Sequence, residues 1–458
     1  MNQNFLHALG QLLPAAQLLS QPDECWPYGY DNSRRHAPPG AVAFPQTHHD
    51  VVQIVRLCNE HHVPIVPRGR GTGTVGAAVA IAGGLVLSTE RMNRIVALDA
   101  ANRYMRVEPG VLNQTVQDQA GAQGFFWPPD PSSAAFCTIG GNLAYNAAGP
   151  RAIKYGTPRE NVLGLQAVTG DGRELRTGVL TTKGVVGYDL TRLLIGSEGS
   201  LAIITEATLK LTPLAEAKRT IQIIYADIES AAEAVARIMQ QSVVPCALEF
   251  IDAAAIDMVR AYSKVDLPAR AGAMLMVEVD GLQSSMASAT DAIDKAAQSP
   301  GLLSFTVAQS QHEVDALWET RKALSPALRT IAPKKINEDV VVPITKIPAL
   351  IRGLETLSAK HGIPIVNFGH AGNGNIHVNL LFDPDNAAQA ATAHICLEEM
   401  FHLVLSLDGT LSGEHGVGLE KRDYVGRELD PVAVQLMRQI KQVFDPNNIL
   451  NPDKVLPL

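Results

Sequence analysis

Residues 67–76 read PRGRGTGTVG, and the short segment after them limits the fold more than any other feature of the chain. Within this stretch GTGTVG fits the dinucleotide fingerprint GxGxxG, and Glu90 stands near the spacing at which an acidic residue meets a ribose. That fingerprint works by opening a crossover helix between parallel strands, a connection of about a dozen residues or more. Only AAVAIAGG separates Gly76 from the strand predicted to begin at Leu85, and it ends in two glycines. A doubly wound NAD-binding domain is therefore disfavoured. Two readings are left: a tight surface loop, or a backbone nest whose N–H groups converge on an anion. Arg68, Arg70 and a second glycine-rich stretch at 140–149 favour the nest and a diphosphate-containing cofactor.

With 458 residues, 46% of them hydrophobic and 18% charged, the chain can fill two or three ordinary domains. A net charge of −8 argues against nucleic acid as the main partner. The five cysteines are scattered and never in CxxC spacing, which reads as reduced thiols rather than a disulfide framework or zinc ribbon. The first twenty residues lack a basic n-region, and no segment reads as a membrane span. A cytoplasmic setting is expected, peripheral to a membrane at most.

The pattern of elements is α+β. Residues 41–66 read strand, helix, strand; VLNQTVQDQAGAQG reads as a second helix, and AVTGDGRELRTG as a hairpin about Asp171-Gly172. After Pro213 strand-like runs such as TIQIIYA and AMLMVEVDG alternate with Ala-rich helices, the pattern of an α+β domain on an antiparallel sheet.

Residues 369–379, GHAGNGNIHVN, place His370 and His377 at the ends of a Gly/Asn stretch between two strand-like runs. Seven residues apart, they would face opposite ways on one strand; a hairpin at Asn373-Gly374 would return them to one place. That geometry suits a metal, and an ordinary turn is the other reading. The ten histidines other than His370, His377 and His415 read as surface residues.

Taken together, PRGRGTGTVG, PPDPSSAAFCTIGGNLAYNAAGP, YGTPRENVLGLQAVTGDG and LIGSEGSLAIITEATLKL resemble the FAD domain of the vanillyl-alcohol-oxidase superfamily. FGHAGNGNIHVNLL, SGEHGVGLEKRDY and FDPNNILNPDKV resemble the C-terminal part of its D-2-hydroxy-acid branch, which includes D-lactate dehydrogenases, D-2-hydroxyglutarate dehydrogenases and the flavoprotein subunit of glycolate oxidase. The resemblance runs from about residue 38 to 458. It implies a two-subdomain FAD-binding domain over 38–215 after an N-terminal arm (1–37). A substrate or cap domain on an antiparallel sheet comes next over 216–405, and a C-terminal segment (406–458) returns to the FAD domain.

For the cofactor, the resemblance implies that Pro67, Arg68, Gly69, Arg70, Gly71, Thr72 and Gly73 wrap the FAD pyrophosphate. Pro129, Asp130 and Ser132, then Thr138, Gly140, Gly141 and Asn142, then Gly199 and Ile203 line the rest of it, and Asn451 is carried over with them. The first loop holds no histidine, so noncovalent FAD is expected. His370, His377 and Glu414 are implied as ligands of a divalent metal, with Zn²⁺ expected and Mn²⁺ or Fe²⁺ as alternatives. His415 is implied as general base, Arg321 as the grip on the substrate carboxylate, and Asn379 as a substrate hydrogen-bonder.

The sequence departs from the hydroxyglutarate pattern at one point. KKINEDVVVP places Asn337 where those enzymes carry a lysine, with Lys335 two residues earlier as a substitute. A D-lactate-like substrate is therefore favoured, with D-2-hydroxyglutarate or glycolate as alternatives. A noncatalytic flavin-binding subunit of an electron-transfer complex is the reading from another class. The implied electron acceptor is a quinone, an electron-transfer flavoprotein or a cytochrome, and a homodimer is the default assembly.

Overall fold

The computed structural model describes residues 2–260 and 267–457. It divides into two compact units: Met1–Gly149, Gly156–Leu214 and Glu414–Leu458 form the first, Pro150–Tyr155 and Ala215–Gly413 the second.

The first unit opens with strands β1 (Leu18–Leu19), β2 (Ala41–Ala43), β3 (Ile65–Arg68) and β4 (Leu85–Ser88), joined in the order β1-β2-β4-β3. β4 runs parallel to both β2 and β3. The helix His48–Glu60 links β2 to β3. Thr47 and Asp50 form a capping box at its start, and it buries Val51, Val52, Ile54, Val55 and Cys58 on one face. The link from β3 to β4, residues 69–84, contains no helix. That rules out the dinucleotide-fold reading of GTGTVG, and Glu90 instead lies 3.7 Å from Arg70. Next come β5 (Ile95–Asp99), β6 (Tyr104–Val107), β7 (Phe125–Phe126), β8 (Val162–Thr169), β9 (Glu174–Gly178), β10 (Ala202–Lys210) and β11 (Thr212–Pro213). Five of them make an antiparallel sheet in the order β5-β6-β10-β8-β9, while β7 and β11 pair separately.

A buried polar knot holds the C-terminal segment inside this unit. Lys454 donates to the Ala77 and Val79 carbonyls and to Asn451 Oδ1, while Asn451 Nδ2 donates to the Ala77 and Glu198 carbonyls. Glu198 accepts from the Val417 and Gly418 N–H groups at 2.6 and 2.9 Å. Burial pushes its carboxyl up to about 7, outweighing those bonds and the nearby lysines. The native state therefore holds an extra proton between about pH 4.5 and 7, and this group's contribution to stability falls as pH rises through that window. Relative to Glu198→Gln, the native protein is expected to lose about 1.4 kcal/mol per pH unit across it. Urea unfolding of both proteins at pH 5 and pH 7 reads this directly.

The second unit is built on β12 (Ala217–Tyr225), β13 (Ala247–Asp252), β14 (Ala273–Gly281), β15 (Leu302–Val307), β16 (Lys334–Val341), β17 (Ile365–His370) and β18 (Asn375–Phe382). These form one antiparallel sheet, β15-β12-β14-β13-β17-β18-β16. Alternation gives it two different faces. Ile223, Tyr225, Leu275, Val277, Phe250, Val378 and Leu380 fill one, which helices cover; Tyr225 Oη reaches the Ala297 carbonyl of the helix Met286–Ala297. The other face carries Glu249, His370, His377 and Asn379 beside an apolar patch of Ile224, Ile251, Met274, Val366 and Phe368, against which Leu324 and Leu328 pack. Among the described residues no helix is long and apolar enough to cross a membrane.

Candidate functional site

In the first unit the glycines of 69–73 are required by close approach. A Cβ on Gly69 would lie 2.4 Å from Thr138 Oγ1, one on Gly73 2.6 Å from Tyr145 Oη, and Gly71 has φ +67°. Gly199 abuts Pro67 in the same way. The second glycine-rich stretch is a short helix, Ile139–Tyr145, capped by Thr138, whose Oγ1 accepts from the Gly141 N–H. Gly140 lets that helix approach Pro109, where a Cβ would sit 2.6 Å from the proline Cβ. Beside the loop, Asn142 Nδ2 and Tyr145 Oη are buried without a hydrogen-bond partner among the described residues. Buried polar atoms left this way call for a ligand, and a polar group such as a flavin or its phosphates would satisfy them.

Other residues assigned to FAD have protein partners. Arg68 is buried, donates to the Tyr30 carbonyl and lies over the Tyr28 ring. The Pro129 carbonyl accepts from Asn113, and the Asp130 N–H donates to the Ala148 carbonyl, while Ser132 sits in a turn. Ile203 points into the core of the parallel sheet. In the loop itself Arg70 is exposed and Thr72 half-buried.

In the second unit β17 and β18 are antiparallel, with Phe368 opposite His377 and His370 opposite Asn375. The turn between them is a 3₁₀ segment, Ala371–Asn373, closed by Gly374 at φ +74°, where a Cβ would lie 1.9 Å from the Val342 carbonyl. The two imidazoles stand 5.2 Å apart, centroid to centroid, at 83°. Gly413, the last residue of this unit, is fixed by N–H donation to Asp339, and Glu414 comes directly after it. His370 and His377 are the implied ligands that this unit brings together, and Glu414, the third, is the first residue beyond it. Two imidazoles and one carboxylate are a donor set that suits a divalent cation. The Gly149 N–H also donates to Glu414 Oε2 at 2.8 Å. His415 comes next in the chain, half-buried.

Arg321 projects from the helix Gln311–Ala327, stacks 4.9 Å over the Phe368 ring and gives its Nε–H to Glu249. Glu249 was not legible as a site residue: LEFID in β13 reads as an ordinary buried strand. It is 1% exposed, and its other oxygen meets His370 Nδ1 at 2.5 Å. Burial alone would push its carboxyl up, but the charges and hydrogen bonds of His370 and Arg321 outweigh that and hold it at about 2. Asn379 is fully buried. Its Nδ2 donates to the Val366 and His377 carbonyls, and its Oδ1 accepts from Asn337 Nδ2 at 2.7 Å. Lys335 reaches back to Ser325 Oγ. The expectation that the remaining histidines lie on the surface fails at His361, whose side chain is 10% exposed and meets Glu399 at 3.1 Å.

The FAD-linked oxidase C-terminal domain model matches residues 214–455, and an FAD-binding domain model matches residues 39–178. The chain belongs to the FAD-linked oxidase family. It is an oxidoreductase of the vanillyl-alcohol-oxidase fold. The glycolate oxidase subunit GlcD of Bacillus subtilis is 38% identical, over 93% of this chain and 91% of that one. A D-lactate dehydrogenase of Anaerostipes hadrus is 35% identical, over 89% and 87%. A D-2-hydroxyglutarate dehydrogenase of Xanthomonas citri pv. viticola is 35% identical, over 98% and 96%. Among solved structures, p-cresol methylhydroxylase superposes with a TM-score of 0.80 at 19% identity, over 100% of this chain and 98% of that one, a likeness of fold alone.

Proposed function

We propose that this FAD-linked oxidoreductase oxidises a D-2-hydroxy acid to the 2-oxo acid at the His370–His377–Glu414 site, with D-lactate-like substrates preferred. The observation that carries the reading is the return of two imidazoles to one face of the β17–β18 hairpin, 5.2 Å apart. The flavin, when bound, supplies the acceptor for the C2 hydride, and a divalent cation, Zn²⁺ before Mn²⁺ or Fe²⁺, supplies Lewis acidity at the substrate hydroxyl. Arg321, with its Nε–H held by Glu249, turns the rest of its guanidinium fork to the substrate carboxylate. The His415 imidazole takes the hydroxyl proton. Asn379, already shared among Val366, His377 and Asn337, orients this face of the sheet and offers its remaining hydrogen-bonding capacity to substrate. The 2-oxo product leaves reduced flavin, which a quinone, an electron-transfer flavoprotein or a cytochrome reoxidises.

Anaerobic titration of the purified flavoprotein with D-lactate, L-lactate, glycolate and D-2-hydroxyglutarate tests the reading. Bleaching of the oxidised-flavin band by D-lactate and not by L-lactate is expected. A flavin band that none of the four bleaches overturns it and favours the noncatalytic subunit. Bleaching by glycolate ahead of D-lactate favours the activity named for the Bacillus subtilis relative.

The amide at position 337 supports the preference for a monocarboxylic acid. Asn337 lies directly opposite Asn379 in the β16–β18 ladder, where it offers a neutral amide to the end of the substrate that a second carboxylate would occupy. Asn337→Lys keeps a donor for Asn379 and adds a charge. It is expected to raise the kcat/KM ratio of D-2-hydroxyglutarate over D-lactate by about 10- to 100-fold, the worth of one charge-assisted hydrogen bond. Steady-state rates with both acids and an artificial acceptor measure it.

A further inference from the structure

We infer that Glu249 is the positioning residue of this site, one carboxylate that fixes the tautomer of His370 and the aim of Arg321 together. The inference rests on the proposed metal site. In the β13–β17 ladder Phe250 lies opposite Gly369 and Ile251 opposite Phe368, so one step further along the same register Glu249 meets His370. Its Oε1 stands 2.5 Å from His370 Nδ1 and its Oε2 2.7 Å from Arg321 Nε. The side chains of His370 and Arg321 are 12% and 14% exposed, and that of Glu249 is 1% exposed.

For the neutral imidazole that can ligate a cation, the donor–acceptor chemistry leaves one arrangement. An ionised carboxylate only accepts and a guanidinium only donates, so the Arg321 bond must run from Nε–H to Oε2. The facing His370 nitrogen must then carry its proton at Nδ1, which leaves the Nε2 lone pair for a cation. A carboxylate behind a ligating imidazole fixes tautomer and ring orientation in this way, and losing one typically costs about 10- to 100-fold in metal affinity or activity. Here the same carboxylate also holds the arginine assigned to the substrate, so metal binding and substrate grip share one support.

Glu249→Gln separates this role from bulk or burial. A glutamine offers one acceptor and one donor at nearly unchanged volume. Because Arg321 can only donate, it takes the amide oxygen, and the amide NH₂ is left facing His370 Nδ1. The imidazole must then accept at Nδ1 and carry its proton at Nε2, where it cannot bind a cation. Zn²⁺ affinity of the flavin-loaded protein, read by competition with a chromophoric chelator, is expected to fall about 10- to 100-fold in Glu249→Gln. It should fall at least as far in His370→Ala.

A native protein that binds Zn²⁺ and loses it in His370→Ala but not in Glu249→Gln overturns the inference and leaves the metal reading standing. A native protein that binds no divalent cation overturns the metal reading first. Should Glu249→Gln fail to fold, the histidine-ring ¹⁵N spectrum of the Zn²⁺-loaded native protein decides, with His370 assigned by its loss in His370→Asn. A protonated Nδ1 with a metal-bound Nε2 is expected, and the reverse assignment refutes the role.

Discussion

Alanine at His377 is expected to slow bleaching of the flavin by D-lactate about a thousandfold while leaving the flavin absorbance in place. His377 is 8% exposed and lies on the polar face of the second unit's sheet, with the Phe368 ring as its cross-strand neighbour. Removing it leaves one imidazole and one carboxylate, too few to hold a cation firmly at neutral pH. The lost Lewis-acid assistance is worth several kcal/mol of transition-state stabilisation, which converts to about three orders of magnitude in rate. Flavin retention is expected from where the cradle is built: Gly69–Gly73, Asn142 and Tyr145 all belong to the first unit. The check is stopped-flow reduction of anaerobic native and variant protein, beside native protein stripped with a chelator. Stripped protein should match His377→Ala and recover with Zn²⁺ or Mn²⁺, whereas the variant should not recover. Stripped native protein that reduces at full speed would remove the metal from the mechanism and leave the flavin assignment untouched.

How far the chain could be read depended on whether a feature was local. The 69–84 connection was readable because its length alone forbids a crossover helix. The β17–β18 hairpin was readable because its turn residues and the strand-like runs on either side agree. Glu249 is the opposite case. It meets His370 across 121 residues of sequence, through a strand order that places β13 beside β17. Nothing within LEFID marks that register, and alternation alone cannot say which strand will lie next to it. The Glu198–Val417 contact is hidden for the same reason, spanning 219 residues. Arg321 occupies the middle ground: its helix is predictable, but a weakly amphipathic helix does not say which face turns to the sheet. Resemblance to a family singled it out where residue pattern could not.

Replacing Arg321 by methionine should lower kcat/KM for D-lactate by several hundredfold, since a bidentate, charge-assisted grip on a carboxylate contributes about 3–4 kcal/mol in a partly desolvated site. Methionine keeps the packing over Phe368 and removes the fork. Arg321→Lys should recover only part of the loss, because an ammonium keeps the charge without the planar pair of donors. The complication is Glu249, which either change deprives of its Nε–H partner, so a fall in activity alone would not distinguish substrate binding from disturbance of His370. A neutral substrate separates the two. The methyl ester of D-lactate presents the same hydroxyl and C2 hydrogen without the negative charge, so its already slow turnover should change little in Arg321→Met if the arginine's work is to hold the carboxylate. Equal losses on acid and ester, accompanied by loss of Zn²⁺, would instead make Arg321 a support for Glu249 and place the carboxylate grip on another residue.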